Sequence, residues 1–557
     1  MAELEYGCQR GQRYRTLYEA AYHFLDGDLA GRLTAQRYLN ASTAIYHGEV
    51  VSMGYIPMIY STPELIRFEE IAHATYGILD TITERYCTDA AYRSLFGFSP
   101  LLEYLILLPT GYDISIPITR IDIFYKLESG DFKFCEFNTD GSSAMNEDRE
   151  ICNSLGLSTT FSHASEALRL SEDVYLFPQE LFDPWVETFL DIYAHSTHRN
   201  PSGTPLVAIV DYLEKTTIHE LEEFRTRFEQ TGLRCLICDM RSLEYKNGIL
   251  FGTDISPTHP NNKTPVILDA IYRRAVTSDI MEDLGAMVGD GATAAQDRLP
   301  HVSLEQELIT PEVLANVQQA QGAIALIAAA RDEAVCLIGG FKTQVAHSKT
   351  IFRMLHHPQT HAFLSVEQRN FIERHVPYTA ELTKETASTL DALHNKDRYI
   401  IKPIDGYGTR GVFAGLNHSP AEWEPLLEER YGTGYVLQEY CQQYPCPNTL
   451  PVPIDALRKM SSSSDSDVEL LMQSSSFARQ QLIPYNVLTG LFVYGGQFSG
   501  VYVRAGTDAL IVGFRGGVTL GTFIACESPT TLFSKGNDED LYLAKVNSNL
   551  PVRLRPL

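Results

Sequence analysis

Residues suited to holding a phosphate occur together between positions 399 and 413. A β-like run, Tyr399–Lys402, leads into a loop rich in glycine. Glycine permits a tight backbone with positive φ, in which successive N–H groups can point at one anion. The glycines and cations of this stretch are Gly406, Gly408, Gly411, Lys402 and Arg410. The pattern predicts a phosphate-binding loop, and a plain β-hairpin with a glycine-rich turn remains the alternative.

The order of these residues differs from that of a P-loop. In a P-loop the lysine follows the glycines and precedes a Ser or Thr, whereas Lys402 comes before the glycines. A lysine on a strand that leads into a flexible loop fits a hinged lid over a nucleoside triphosphate. We therefore expect Lys402 to reach phosphates from the strand and the loop to close over them.

A group of acidic and amide side chains lies on a predicted β-hairpin upstream of this loop. Positions 116–125 and 132–138 alternate with a period of two around a turn at 129–131. Alternation predicts a shared face carrying Arg120 and Asp122 on the first strand, and Phe134, Glu136 and Asn138 on the second. Two carboxylates and an amide oxygen are hard donors that suit Mg²⁺. A surface hairpin with an Arg–Asp ion pair is the alternative.

A parallel sheet is predicted further along the chain. Apolar runs at 206–210 and 233–238 flank a helical pattern, and Thr217-Ile-His-Glu220 is expected to form the capping box that begins the helix. Strand, helix and strand in this order indicate a βαβ unit. Residues 243–251 read as a hairpin with an Asn-Gly turn.

Two sets of residues are candidates for contact with a substrate. Ser142 and Ser143 lie in the polar turn that follows the acidic hairpin and ends in Glu147. Arg273 and Arg274 follow the predicted strand 266–272, at the carboxyl end where ligands bind in open α/β sheets. The two arginines could bind a carboxylate bidentately, and structural salt bridges are the equal alternative.

The remaining segments predict helices and strands without evident chemistry. The first hundred residues are mainly helical, with a proline after the capping residue Thr62. Helical patterns return at 305–330, after Lys349 and at 421–427, and strands are expected at 434–440, 487–494 and 500–504. A serine-rich segment, 457–479, reads as a loop inside the last domain.

Composition limits the classes of function. The 557 residues suggest three or four domains, and 44% of them are apolar, as in ordinary globular proteins. The net charge of −25 disfavours a nonspecific grip on nucleic acid and would tolerate a cationic substrate, although solubility alone can account for it. No apolar run reaches the ~20 residues of a membrane helix, and the first residues lack a secretory pattern, so we expect a cytoplasmic protein without membrane contact. The ten cysteines are scattered along the chain, which favours reduced thiols. We expect Cys235 and Cys238 to fill positions in the hydrophobic core rather than to form a metal or redox site.

Together these stretches resemble the glutathionylspermidine synthase-like, circularly permuted ATP-grasp ligases. Four pieces carry the resemblance: Arg120-Ile-Asp122 with Glu136-Phe-Asn138, Ser348-Lys349 before an apolar helix and His357-Pro358, the loop from Tyr399 to Gly411, and Gly500-Val-Tyr-Val-Arg504. Their order is that of the permuted family, with the metal carboxylates ahead of the lysines. The resemblance implies an α/β (α+β) fold with four parts: a helical N-terminal region (1–105), an ATP-grasp part with the metal hairpin (106–200), an inserted pre-ATP-grasp βαβ domain (201–335), and an ATP-grasp part with the lysines, lid and final β region (336–557).

The same resemblance implies roles for individual residues. Asp122, Glu136 and Asn138 look like Mg²⁺ ligands, and Arg120 and Arg504 like the catalytic cations over the transferred phosphoryl group. The implied ATP-binding residues are Lys349, Lys402, Gly406, Tyr407, Gly408, Thr409, Arg410, Gly411, Gln438 and Glu439. The loop departs from the family pattern, since Gly408-Thr409-Arg410-Gly411 replaces the usual Gly-Gly-Lys or Gly-Arg-Glu-Gly.

The implied activity is formation of an amide bond between a carboxylate and an amine. ATP would first convert a small-molecule or peptide carboxylate to an acyl phosphate, which an amine then attacks. The acidity of the chain would favour a polyamine as this amine. Positioned cations and Mg²⁺ supply most of such catalysis. An inactive nucleotide-binding scaffold and phosphoryl transfer without ligation are the alternatives.

Overall fold

Helices and strands are interleaved along the whole chain in an α+β arrangement. The computed structural model describes residues 10–46, 48–198, 203–256, 264–285, 311–406, 410–452, 481–511 and 516–527. The strands are β1 (Ile45–Tyr46), β2 (Glu49–Val50), β3 (Met53–Ser61), β4 (Ile118–Tyr125), β5 (Phe132–Asn138), β6 (Val174–Pro178), β7 (Leu206–Asp211), β8 (Arg234–Asp239), β9 (Glu244–Lys246), β10 (Ile249–Gly252), β11 (Val266–Ile267), β12 (Ala270–Arg273), β13 (Cys336–Ile338), β14 (Thr379–Glu381), β15 (Tyr399–Pro403), β16 (Phe413–Ala414), β17 (Tyr435–Glu439), β18 (Tyr444–Asn448), β19 (Ile483–Tyr494), β20 (Gln497–Gly506) and β21 (Val518–Glu527).

The α-helices of the described residues are also numbered in chain order. They are α1 (Arg10–Phe24), α2 (Leu29–Ala41), α3 (Thr62–Thr88), α4 (Ala90–Arg93), α5 (Pro100–Ile106), α6 (Met145–Gly156), α7 (Thr159–Glu172), α8 (Asp183–His195), α9 (Ile218–Gln230), α10 (Thr277–Asp283), α11 (Pro311–Arg331), α12 (Gln344–His347), α13 (Thr350–Leu355), α14 (Pro358–His361), α15 (Val366–His375), α16 (Lys384–Thr389) and α17 (Pro420–Glu428). None of these helices is both long and apolar enough to cross a membrane.

The largest sheet joins strands from both halves of the chain. Its main path runs β3, β21, β20, β19, β4 and β5, with β18 added beside β19 and β6 beside β21. All of its pairings are antiparallel except that of β3 with β21. The acidic hairpin is therefore hydrogen-bonded to the late strand β19, and both lie in one rigid layer.

The N-terminal region is mainly helical, as predicted, and it also contributes β3 to the large sheet. Helix α3 buries the predicted face, including Leu65, Phe68 and Ile82. Its N-cap is Ser61 rather than Thr62: the Ser61 hydroxyl and backbone N–H both donate to the Glu64 carboxylate in a capping box. The position of the helix start was thus wrong by one residue, because the sequence offers two hydroxyl residues in succession.

A four-stranded parallel sheet, in the order β13, β12, β7 and β8, confirms the βαβ prediction. The single strand predicted at 266–272 is wrong, since β11 pairs with β10 in a separate hairpin sheet and only β12 enters the parallel sheet. The expected capping box at α9 is also wrong. Thr217 is the N-cap but makes no side-chain cap bond, and Glu220 binds other groups.

A small antiparallel sheet, in the order β14, β17, β15 and β16, carries the predicted lysine strand β15. Its hydrophobic core is separate from the larger cores and includes Trp423 and Leu437. The serine-rich segment 457–479 lies outside the described residues.

A buried carboxyl group on α6 ties this helix to β21. The Thr522 backbone N–H donates to Asp148 Oδ1 at 3.1 Å, and burial raises the pKa of Asp148 to about 8. The carboxyl group is therefore protonated in the folded chain at neutral pH, whereas in an unfolded chain it has a pKa near ~4. Folding takes up a proton between these two values, so stability falls as the pH rises from ~4 to ~8.

Replacing this carboxyl group should remove that pH dependence. The free energy of unfolding of the parent chain should fall between pH 5 and pH 8. For Asp148→Asn we expect this fall to be smaller by on the order of 2 kcal/mol, as measured by urea unfolding. The exposed Asp113→Asn is the matched control and should follow the parent. If the free energy of unfolding changes with pH in the same way in Asp148→Asn and in the parent, the pKa of Asp148 is not raised by folding.

Candidate active site

A cleft opens between the large sheet and the small antiparallel sheet. The space within it, which includes open solvent, is about 820 Å³. Two kinds of side chain line it. The apolar ones include Phe124, Leu488 and Ile511, which pack together, and the charged ones are Glu136, Lys349, Lys402, Arg410, Glu439 and Arg504. The cleft thus combines an apolar wall with a concentration of positive charge.

The acidic hairpin has the predicted shared face for its polar residues. In the pairing of β4 with β5, Asp122 lies opposite Glu136 and Arg120 lies opposite Asn138. Strict alternation fails one step later, where a register shift places Phe134 opposite Ile123. The Phe134 ring packs 5.2 Å from that of Phe137, so the prediction that Phe134 shares the face of Glu136 is wrong.

The Asp122 carboxylate is the centre of the polar cluster. Its oxygens accept hydrogen bonds from Arg120 Nε (2.7 Å), Arg120 Nη2 (3.1 Å), Asn138 Nδ2 (3.1 Å) and Arg504 Nη2 (3.1 Å). Its side chain is only 1% exposed. The Arg–Asp ion pair that was the alternative interpretation therefore exists, but it is buried, and it fixes the guanidinium groups from β4 and β20 at one point.

The Glu136 carboxylate faces the cleft beside several cations. It lies 3.8 Å from Lys349 Nζ and 3.9 Å from Arg504 Nη2, and its side chain is 28% exposed. Burial alone would raise its pKa, but Lys349, Arg504 and Lys402 hold the pKa of Glu136 below its usual range. Glu136 is therefore ionised at neutral pH.

The two predicted lysines approach Glu136 from different segments. Lys402, on β15, donates from Nζ to the Cys135 carbonyl at 3.2 Å. Lys349, which precedes α13, donates from Nζ to the Gly406 carbonyl at 2.8 Å and from its backbone N–H to Ile404 O at 2.8 Å. The stem of the glycine-rich loop is thus hydrogen-bonded to Lys349.

The other predicted nucleotide contacts are partly within the described residues. Gly406, Arg410, Gln438 and Glu439 line the cleft, whereas Tyr407, Gly408 and Thr409 lie outside the described residues. Gln438 is buried and donates from Nε2 to Thr379 Oγ1 at 2.9 Å, which joins β17 to β14.

The residues predicted to contact a substrate lie beside the Asp122 cluster, where they bind other residues of the protein. Arg273 Nη2 is 2.5 Å from Asp140 Oδ1, and Arg274 Nη2 is 3.0 Å from Glu220 Oε1. Arg274 also donates to Ser142 O, and Arg120 Nη1 donates to Ser143 O at 3.0 Å. These are the contacts of the salt-bridge interpretation, and substrate binding by either arginine or serine stays a prediction.

Gly490 and Tyr502, which the sequence did not single out, pack against the Asp122 cluster. Gly490, on β19, lies between Asp122 and Tyr502 in one cross-strand row. A Cβ atom on Gly490 would lie 2.7 Å from both Arg120 Cδ and Asp122 Oδ1. The Arg120 guanidinium also stacks over the Tyr502 ring, 5.3 Å from its centroid. A lone glycine inside a strand was the available signal, because it often marks a close approach.

The Cys235/Cys238 pair forms no metal site in the part of the chain that the structure describes. No group of three or more His, Cys, Asp or Glu side chains there could hold a metal ion. Cys235 and Cys238 are buried in the core, as predicted.

Comparison with known proteins supports the fold. No family model and no curated protein sequence matches the chain. A solved structure with a similar fold is the apo form of a glutathione synthetase-like effector from Globodera pallida, with a TM-score of 0.50 and 12% identity. The match covers 89% of this chain and 96% of that one. At this identity the similarity concerns the fold alone, and it confirms the predicted ATP-grasp-like α+β fold. The finer resemblance to glutathionylspermidine synthases stays a prediction.

The close approach at Gly490 gives a stability test of the cluster. We expect Gly490→Ala to lower the free energy of unfolding by ~1–3 kcal/mol, because the added methyl group must displace the Arg120–Asp122 pair. Gly77→Ala is the control, since nothing lies within 4 Å of its Cβ position in α3 and the change should be neutral or stabilising. Equal stabilities of the parent and Gly490→Ala in denaturant unfolding would contradict this packing.

Proposed function

We propose that the chain is an ATP- and Mg²⁺-dependent ligase that joins a carboxylate to an amine through an acyl phosphate. One observation carries the proposal: the early hairpin and the late lysine and arginine residues, distant in sequence, line the same cleft between two sheets. An ATP-grasp-like fold is consistent with this use of the cleft.

The cleft has the features that a nucleoside triphosphate requires. Lys349, Lys402 and Arg504 supply positive charge for the phosphates, and Arg410 lies on the glycine-rich loop that lines the same space. The apolar wall would pack against the adenine ring, with Gln438 and Glu439 on the adjoining strand β17. The local excess of cations contrasts with the net charge of −25 for the whole chain, so this site is electrostatically distinct.

The oxygen donors of the hairpin fit Mg²⁺ in type and position. Glu136 is ionised and faces the cleft. Asn138 donates its amide nitrogen to Asp122, which leaves the Asn138 carbonyl oxygen for a cation, and Asp122 Oδ1 accepts one hydrogen bond, from Arg120. Mg²⁺ bound by these residues would neutralise charge on the transferred phosphoryl group.

The proposed reaction has two steps. A substrate carboxylate oxygen attacks the γ-phosphorus of ATP and ADP departs, while Arg120 and Arg504 stabilise the negative charge on the phosphoryl oxygens. The arginines are oriented for this by the buried Asp122, which holds both of them. An amine then attacks the carbonyl carbon of the acyl phosphate, and inorganic phosphate leaves. The partners are thus a small-molecule or peptide carboxylate and an amine, with a polyamine as one candidate.

The function test measures ADP and phosphate release with paired substrates. Glutathione with spermidine, and γ-glutamylcysteine with glycine, are suitable first pairs, because the resemblance is to glutathionylspermidine synthases and the structural neighbour is a glutathione synthetase-like effector. Ligation requires release that depends on both the carboxylate and the amine. Release that needs no amine would indicate phosphoryl transfer alone, and ATP binding without any release would indicate an inactive scaffold.

Glu136→Gln should abolish this release with little change in fold. The substitution removes the ionised metal ligand that faces the cleft, so we expect kcat to fall by about 100-fold or more while the melting temperature stays close to that of the parent. The charge-matched control is Glu424→Gln on the exposed side of α17, which should retain full activity. Full turnover by Glu136→Gln would rule out the metal assignment. Asp122→Asn would also disturb Arg120 and Arg504, which both bind this carboxylate, so it is the less specific variant.

A further inference from the structure

We propose that Glu147 forms the subsite for the ammonium group of the amine acceptor and takes up its proton. The inference rests on the proposed ligase function and deepens it by assigning where the second substrate binds. It locates that substrate next to the arginine pair, beyond Tyr502 and outside the lysine-lined cleft.

The position of Glu147 is fixed by the start of α6. The Glu220 carboxylate accepts hydrogen bonds from the backbone N–H groups of Ala144 (2.9 Å) and Asn146 (3.2 Å). Ala144 adopts a left-handed conformation with φ of 89°, which is costly for a residue with a Cβ. Glu220 is held in turn by Arg274. The first turn of α6, and Glu147 with it, is therefore held rigidly.

One oxygen of Glu147 is bound and the other is available. Oε2 accepts hydrogen bonds from the Tyr502 hydroxyl at 2.6 Å and from Thr519 Oγ1 at 3.2 Å. Oε1 has no hydrogen-bond donor among the described residues. The side chain is half-buried rather than sealed, so a ligand can reach this oxygen.

The Glu147 carboxylate lacks a direct cationic partner. No lysine, arginine or histidine nitrogen of the described residues lies within 4 Å of it, whereas Asp122, Glu220 and Glu136 each form ion pairs. Burying an unpaired carboxylate is unfavourable. Burial and the nearby Glu220 accordingly raise the pKa of Glu147, against the lowering effect of Arg504. An incoming ammonium group would supply the missing positive charge.

Tyr46, on β1, is close enough to Glu147 to respond to its charge. Partial burial raises the pKa of the Tyr46 phenol, and so does the Glu147 carboxylate, while Arg410 and Arg504 lower it. Tyr46 is 43% exposed, and an exposed aromatic face of this kind attracts an ammonium group.

The neighbouring residues link Glu147 to the site of phosphoryl transfer. The ring of Tyr502 lies under Arg120 while its hydroxyl binds Glu147. An acyl phosphate held by Arg120 and Arg504 would thus have its carbonyl carbon near an ammonium group on Glu147. Cations hold the phosphate on one side, and a carboxylate holds the amine on the other.

The proposed step balances without a further reactant. Glu147 takes one proton from the ammonium group, and the freed lone pair of the nitrogen forms a bond to the carbonyl carbon. The carbon–oxygen bond to phosphate then breaks, and its electron pair leaves with the phosphate. The departing phosphate takes the second proton from the nitrogen, which gives the amide, hydrogen phosphate and a protonated Glu147 that returns its proton to water.

Hydroxylamine separates this step from acyl phosphate formation. Because hydroxylamine is largely neutral at pH 7.5, it traps an acyl phosphate as a hydroxamate without a base. With ATP, Mg²⁺ and glutathione, we expect Glu147→Gln to lower kcat/KM for spermidine by ~100-fold or more, and hydroxamate formation by far less. Glu147→Asp should restore part of the amine reaction.

The pH profile gives a second readout. In the parent, kcat/KM for spermidine should rise with pH as Glu147 ionises, and Glu147→Gln should lack this rise.

The controls distinguish failure of the inference from failure of the proposed function. Glu424→Gln removes the same charge elsewhere and should match the parent in both reactions. Equal losses of hydroxamate and amide in Glu147→Gln, or an unchanged pH profile, would overturn the inference while leaving the ligase intact. Absence of both products from the parent would count against the proposed function instead.

A binding measurement tests the subsite without turnover. In calorimetric titration with spermidine, in the presence of Mg²⁺ and a non-hydrolysable ATP analogue, Glu147→Gln should bind at least 10-fold more weakly than the parent. Glu424→Gln should bind like the parent. Equal affinities of all three proteins would overturn the ammonium subsite whether or not the chain is a ligase.

Discussion

The buried Asp122 carboxylate is the interaction on which the site depends. It accepts hydrogen bonds from Arg120 on its own strand, from Asn138 on β5 and from Arg504 on β20. A buried ion cluster of this kind is tolerated only when each charge is paired, and loss of one member leaves the others uncompensated. The arginines are consequently fixed before any ligand arrives, so little reorganisation is needed when negative charge develops beside them.

Charge is distributed around this cluster in two opposed regions. On the cleft side, Lys349 and Lys402 join the arginines around a single ionised Glu136. On the other side of Tyr502, Glu147 lies without an ion-pair partner among the described residues. In the proposed ligase reaction, this arrangement would attract the phosphorylated acid and the amine to adjacent positions. The overall acidity of the chain reveals neither region.

Short-range patterns in the sequence predicted the elements and most of the cleft. Alternation predicted the hairpin and the shared face of Asp122 and Glu136, and a β-like run predicted the strand of Lys402. The errors arose where a tertiary partner overrode a local preference. Glu220 caps α6 and pairs with Arg274 instead of closing its own helix, and a register shift turns Phe134 away from Glu136. Gly490 and Tyr46 were missed because their significance lies in neighbours that are remote in sequence.

The parallel pairing of β3 with β21 has a consequence for biogenesis. β3 is synthesised well before its partner β21, the last described strand. Their pairing cannot form until β21 has been synthesised, whereas the βαβ unit has its partners close in sequence. In the folded chain α1 packs on β3, and the same contact could shield β3 until β21 emerges.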